Sequence, residues 1–209
     1  LFIDLDRFKQ VNDTLGHSKG DELLIELARR LEQCTRKSDI VSRIGGDEFT
    51  VILPNLHTQE SAALIAKKII RAFEQAVILG ENTVYVGASI GVSIYPQDGE
   101  NMEILCKHAD IAMYHVKESG RNAYQYFDHS MFDKAQKRIA MEEALHKALE
   151  QDEFELYYQP KINIKTGQIT GAEALIRWND PVKGLIPPFE FIPTAETSGL
   201  IIPMGEWIT

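Results

Sequence analysis

The 209 residues are a quarter charged and 44% hydrophobic, more than one average domain needs and fewer than two large ones require, and their net charge of -9 argues against nonspecific binding to nucleic acid. No run is apolar and long enough to span a bilayer and no signal peptide is visible, although the chain opens inside a strand and any targeting segment would lie upstream of Leu1. Cys34 and Cys106 stand in apolar helical contexts without metal-ligand spacing, which predicts reduced core thiols in a cytoplasmic protein.

The chain begins with an apolar run, Leu1-Phe2-Ile3, leading into Asp4-Leu5-Asp6. Such a strand is expected at the centre of its sheet, with Asp4 and Asp6 on one face and Leu5 on the other. Acids at the C-terminal end of a central strand sit where open α/β sheets bind ligands. Asp6 reads equally as a cap on whatever follows. Gly20 precedes Asp21 and Glu22, acids suited to a helix N-terminus, and Leu23, Leu24, Leu27, Ala28 and Leu31 then repeat at helical spacing.

Ile40 to Ile44 and Phe49 to Leu53 form two apolar runs flanking Gly45-Gly46-Asp47-Glu48, and Pro54 stops the second, so the pattern predicts a hairpin. A second amphipathic helix runs from about Gln59 to Glu74, and alternation from Val84 to Tyr95 predicts a strand stopped by Pro96. A third helix from Met102 to about Ser119 meets Gly120, a C-cap candidate, and Tyr124 to Phe127 gives a short closing strand. The order of elements predicts an α+β sheet with helices packed on it.

Composition shifts near Asp128. His129 to about Gln151 reads as a charged helix suited to connecting two domains, and a new fold begins after it. Phe154 to Pro160 is predicted as a strand. Lys161 to Ile164 pairs with Gln168 to Ile176 as a hairpin turning at Lys165-Thr166-Gly167, followed by a loop containing Pro181, Pro187 and Pro188 and two short apolar stretches.

Two glycines followed by two carboxylates let a ligand approach the main chain, although the tetrapeptide alone reads equally as a solvated turn. If the hairpin pairs beside the first strand, Asp4, Asp47 and Glu48 converge, and carboxylates that close repel one another unless a cation neutralises them. Oxygen-only ligands suit Mg²⁺ or Mn²⁺ sharing a substrate's phosphates.

Three separate blocks then carry a resemblance. Beside Gly45-Gly46-Asp47-Glu48-Phe49 stand Asp4-Leu5-Asp6-Arg7-Phe8-Lys9-Gln10-Val11-Asn12-Asp13-Thr14-Leu15-Gly16-His17 with Gly20-Asp21, and Lys117-Glu118-Ser119-Gly120-Arg121-Asn122 far downstream. Residues 1 to about 127 resemble the GGDEF family of diguanylate cyclases, which condense two GTP into cyclic di-GMP, each of two facing protomers holding one GTP. The resemblance implies a nucleotidyl cyclase-like fold with an antiparallel or mixed central sheet and a ferredoxin-like core. It assigns Asp4, the Leu5 carbonyl, Asp47 and Glu48 to metal, with Asp47 also taking the proton from the ribose 3′-hydroxyl. It assigns Asn12 and Asp21 to guanine, and Lys9, Lys117, Arg121 and the backbone N–H groups of Arg7 and Phe8 to the phosphates. Arg36 and Asp39 match the family's Arg-x-x-Asp site for inhibitory product.

From about residue 131 the chain resembles the opening of an EAL-type cyclic di-GMP phosphodiesterase. The resemblance rests on Tyr157-Tyr158-Gln159-Pro160, Glu173-Ala174-Leu175-Ile176-Arg177-Trp178, Phe191-Ile192-Pro193 and Gly199-Leu200-Ile201. It implies the first part of an α/β barrel, with Glu173 as a metal ligand and Gln159 and Arg177 contacting the dinucleotide. The barrel's other ligands and its catalytic base are expected farther along than Thr209, so these residues are not expected to hydrolyse cyclic di-GMP. Boundaries are expected at 1–127, 128–151 and 152–209, with the family's usual first helix and any sensory region or membrane anchor upstream of Leu1. Two alternatives stay open beside the cyclase: a GTP-binding domain that regulates a phosphodiesterase, and a noncatalytic receptor for cyclic di-GMP.

Overall fold

The computed structural model describes residues 1–56 and 58–208. It divides into two compact units, Leu1–Phe132 and Asp133–Thr209. In the first unit the chain runs β1 (Phe2–Asp6), α1 (Phe8–Leu15), α2 (His17–Cys34), β2 (Ile40–Gly45), β3 (Glu48–Ile52), α3 (Gln59–Phe73), β4 (Val77–Leu79), β5 (Asn82–Val84), β6 (Gly87–Val92), α4 (Met102–Glu118) and β7 (Ala123–Tyr126). Five strands form one sheet in the order β2-β3-β1-β6-β7, so β1 is central. It pairs antiparallel with both β3 and β6, while β6 and β7 pair parallel, which makes the sheet mixed.

Alternation along β1 sorts its side chains. Ile3 and Leu5 join Leu23, Leu27 and Leu31 of α2 and Ala66, Ile69 and Phe73 of α3 in one buried cluster. The other face receives α4, which comes so close to β6 that a Cβ on Gly91 would lie 1.8 Å from the Ala109 carbonyl oxygen. Only glycine permits that approach. Helices α2 and α3 cap each other's C-terminal ends: Arg30 donates to the carbonyls of Ala72, Gln75 and Ala76, and Lys68 donates to those of Gln33 and Cys34.

Several elements differ from the sequence reading. Helix α1 was not anticipated; it is two turns long and buries only Phe8. Gly16, with φ +85°, separates it from α2, which already starts at His17, so Asp21 and Glu22 fall on its second turn rather than at its N-terminus. The strand expected from Val84 to Tyr95 is divided. Val84 closes a small β4–β5 hairpin turning at Gly80 (φ +71°), and β6 starts afresh at Gly87.

Helix α5 (His129–Glu150) begins in the first unit, where Met131 packs with Ala112 and Phe127. The second unit continues with β8 (Phe154–Ile162), β9 (Ile169–Asp180), β10 (Gly184–Ile186), α6 (Pro188–Ser198) and α7 (Ile201–Ile208). The strand and the hairpin arm expected separately before residue 165 are one strand, β8, paired antiparallel with β9. The sheet order is β10-β9-β8, all antiparallel. Its core gathers Leu145, Ala148, Phe154, Trp178, Phe191 and Met204, and Trp178 Nε1 donates to Glu153 at 2.9 Å. The two late apolar stretches are helices, the first opened by Pro188 at a position that needs no N–H. No helix among the described residues is long and apolar enough to cross a membrane.

Candidate active site

The hairpin lies beside β1, as its pattern predicted, with Asp4 directly opposite Glu48. The Leu5 N–H donates to the Asp47 carbonyl at 3.3 Å, so the turn is tied to β1 by backbone as well. The pairing of β2 and β3 shifts register between Arg43 and Gly45, Gly46 takes φ +51°, and Arg43 Nε donates to the Gly46 carbonyl at 2.9 Å. A left-handed Gly46 and an arginine bridging the turn fix the point at which Asp47 leaves it. Sequence reasoning did not single out Arg43.

Asp4 is only 7% exposed. Burial pushes its carboxyl above the ordinary value, the bond and charge of Lys117 pull it back, and the charges of Asp47 and Glu48 push it up again. Lys117, on the last turn of α4, lies 2.7 Å from Asp4 Oδ2. The lysine that the resemblance assigns to phosphate thus stands against Asp4. Among the described residues no three His, Cys, Asp or Glu side chains are gathered as a ready cage. A buried carboxylate already holding a cation, with two more carboxylates close enough to perturb it, suits a hard ion that takes its remaining ligands from phosphate and water.

Asn12 projects from α1 toward α2. Its Oδ1 is the one buried side-chain N or O atom among the described residues without a hydrogen-bond partner. Gly20 makes room for it: a Cβ there would lie 1.9 Å from Asn12 Oδ1. Asp21 follows Gly20 on the exposed side of α2. Arg7 has φ 62° at the N-cap of α1, and Phe8 and Lys9 open the helix, where backbone N–H groups have no carbonyl one turn back. Phe8 is buried and Lys9 exposed.

Arg121 sits in a turn with φ 66°, followed by Asn122 at φ 48°. Asp6 does not cap α1. Its carboxylate accepts from Ser89 Oγ at 2.7 Å and from the Asn122 N–H at 2.9 Å. That role was open in sequence because both donors lie more than eighty residues away.

In the loop after α2, the Asp39 carboxylate accepts from the Arg36 N–H at 2.7 Å and from Ser38 Oγ at 3.4 Å, while the Arg36 side chain is exposed. In the second unit Gln159 pairs across the hairpin with Glu173, and Glu155 with Arg177, which places Gln159, Glu173 and Arg177 on one face. Lys161 Nζ lies 3.4 Å from Glu173, and the Arg177 guanidinium rests 5.4 Å from the Tyr157 ring centre.

Residues 1–123 match the diguanylate cyclase, GGDEF domain family, and residues 142–209 match the EAL domain family. The bifunctional diguanylate cyclase/cyclic di-GMP phosphodiesterase MucR of Pseudomonas aeruginosa is 44% identical over 208 residues, covering 100% of this chain and 30% of its own length. The cyclic di-GMP phosphodiesterase NbdA of the same organism is 39% identical over 208 residues, covering 100% of this chain and 26% of its own length. The chain therefore spans less than a third of these relatives. A solved GGDEF domain of PA1120 (TpbB or YfiN) from Pseudomonas aeruginosa superposes with a TM-score of 0.63 at 38% identity, covering 65% of this chain and 79% of that one.

Proposed function

Because the chain belongs to the GGDEF family, with the opening of an EAL domain behind it, we propose that residues 1–127 are a metal-dependent diguanylate cyclase within a tandem cyclic di-GMP signalling protein. The observation that supports this is the pairing of Asp4 with Glu48 across β1 and β3, with the Asp47 carbonyl tied to the Leu5 N–H and Lys117 ion-paired to the buried Asp4.

In this reading Asn12 and Asp21 bind guanine, whose O6 accepts and whose N1 and N2 donate. Lys9, Lys117, Arg121 and the N–H groups of Arg7 and Phe8 hold the phosphates. Asp4, the Leu5 carbonyl, Asp47 and Glu48 hold Mg²⁺ or Mn²⁺, which supplies charge neutralisation at the α-phosphate. Asp47 accepts the proton of the ribose 3′-hydroxyl as that oxygen bonds to the α-phosphorus of the facing GTP, and the bond to pyrophosphate breaks. Two such events close the ring, so a homodimer with one GTP in each protomer is required. Arg36 clamps product and Asp39 accepts guanine donors, which gives feedback inhibition. The helix from about residue 129 leads into the EAL part, whose family match runs over residues 142–209, and there Glu173 binds metal and Gln159 and Arg177 contact the dinucleotide. A cytoplasmic location follows from the nucleotide substrate.

A second reading is favoured by the name of NbdA, a cyclic di-GMP phosphodiesterase that shares the whole length of this chain. In it the first unit binds GTP only to control phosphodiesterase activity. Incubating the protein with GTP and Mg²⁺, and separately with cyclic di-GMP, then separating the nucleotides, distinguishes the two. Cyclic di-GMP formed from GTP by the wild type and lost in Asp47→Ala is the expected result; no product even from dimeric protein would falsify the cyclase.

A further inference from the structure

We propose that Asp6 is a positioning residue that fixes the Gly120–Asn122 turn, and with it Arg121, against the carboxylate-bearing end of β1; this rests on the cyclase reading above. Asp6 lies on the same face of β1 as Asp4 and is equally buried, at 7% exposed, but its two oxygens are both engaged by the protein. Oδ1 accepts from Ser89 Oγ at 2.7 Å on the neighbouring strand β6, and Oδ2 accepts from the backbone N–H of Asn122 at 2.9 Å. Two carboxylates two residues apart thus have different duties: Asp4 meets Lys117, Asp47 and Glu48, while Asp6 acts as a scaffold.

The turn it holds is one that ordinary residues resist. Arg121 and Asn122 are consecutive non-glycine residues in the left-handed region, at φ 66° and φ 48°. Such a pair persists only where the surroundings over-determine it. Here Arg121 N–H donates to the Val116 carbonyl at 2.9 Å, Asn122 N–H to Asp6, and Asn122 Nδ2 to Glu74 Oε1 at 2.6 Å. Gly87 reserves the space, since a Cβ there would lie 2.7 Å from Asp6 Oδ2 and 2.9 Å from Asn122 Oδ1. The consequence is a fixed exit direction for Arg121 from a turn tied to β1, two residues from Asp4.

The chemistry of the bonds sets the test. In Asp6→Asn the amide oxygen can still accept from Asn122 and the amide nitrogen can donate to Ser89 once its hydroxyl reverses, so the turn survives. In Asp6→Ala both bonds are lost, and in Gly87→Ala the new methyl forces Asp6 and Asn122 apart. Binding of a nonhydrolysable GTP analogue and of GMP, each with Mg²⁺, is measured by calorimetry on the full chain, with folding followed by thermal denaturation. Asp6→Ala and Gly87→Ala are expected to weaken the triphosphate about tenfold and GMP hardly at all, and Asp6→Asn to stay within about threefold of wild type. If Asp6→Ala does not fold, Gly87→Ala and Asp6→Asn decide. An unchanged triphosphate-to-GMP ratio in Gly87→Ala or Asp6→Ala overturns the proposal, as does an Asp6→Asn variant as weak as alanine, which is the behaviour of a metal ligand. Wild-type protein that binds neither nucleotide overturns the cyclase reading and this proposal with it, so the two failures are told apart.

Discussion

The Lys117 ammonium lies 2.7 Å from Asp4 Oδ2, on a carboxylate that burial first, and the charges of Asp47 and Glu48 after it, push toward protonation. In the cyclase reading proposed above, one cation thus sits on a carboxylate that a divalent ion would also use, and part of its effect is to relieve repulsion among Asp4, Asp47 and Glu48. Lys117→Ala should therefore destabilise the metal-free protein by about 1–3 kcal/mol, a value reduced from that of a fully buried pair because the lysine side chain is 28% exposed. Mg²⁺ should then raise the thermal midpoint of the variant more than that of the wild type. An equal Mg²⁺ shift in both proteins would show that the lysine and the metal do not share Asp4.

Glu26 on α2 is bonded by Arg29 and Arg30, which hold its carboxyl at about 2 instead of 4.5. A depressed acid contributes stability that is fully present above 4.5 and is lost as pH falls through the folded value near 2. The site is on the surface, so the expected contribution is only about 1 kcal/mol. Denaturation midpoints of wild type and Glu26→Gln should differ by a constant amount at neutral pH and converge between pH 4.5 and about 2. A gap that stays constant through that window would argue that the arginines do not stabilise the charged form.

Gly91→Ala tests how closely α4 is packed on β6. The new Cβ would stand 1.8 Å from the Ala109 carbonyl oxygen and 2.4 Å from the Met113 nitrogen, both helix backbone that cannot swing aside. The helix must move, at an expected cost of about 1–3 kcal/mol, and it carries Lys117 with it. Chemical denaturation together with GTP turnover should show both properties falling. Undiminished turnover in a destabilised variant would separate the packing from the site.

Much of this was legible in sequence, and the boundary has physical causes. The central place of β1 followed from the apolar run Leu1-Phe2-Ile3 and the hairpin from two apolar runs around Gly45-Gly46-Asp47-Glu48, and both are seen in the sheet order and the pairing of Asp4 with Glu48. Helix α1 was not legible because two turns burying only Phe8 leave no periodic stripe. The β4–β5 hairpin has three residues in each arm, below the length at which alternation speaks. The contact of Lys117 with Asp4 and the duty of Asp6 are long-range facts. The donors to Asp6 lie 83 and 116 residues away, and no local pattern in Asp4-Leu5-Asp6 separates the two acids.

Gly20 offers the sharpest separation between stability and recognition. It sits inside α2, where alanine is intrinsically favoured by up to about 1 kcal/mol, so the helix itself gives no reason for a glycine. The reason is Asn12: a Cβ at position 20 would fall 1.9 Å from its Oδ1, 3.0 Å from its Cγ and 3.3 Å from the Phe8 ring. The first two are the end of a side chain that can rotate away, so Gly20→Ala should change stability by no more than about 1 kcal/mol. Rotation, however, removes the Asn12 amide from its buried position, where its Oδ1 has no protein partner and is left able to accept from a ligand group that donates. If that group is guanine, Gly20→Ala should raise the KM for GTP about tenfold or more and reduce the preference for GTP over ATP, as Asn12→Ala should. Denaturation midpoints and paired GTP and ATP kinetics make the comparison. A stable Gly20→Ala variant with the wild-type KM and selectivity would remove Asn12 from guanine recognition.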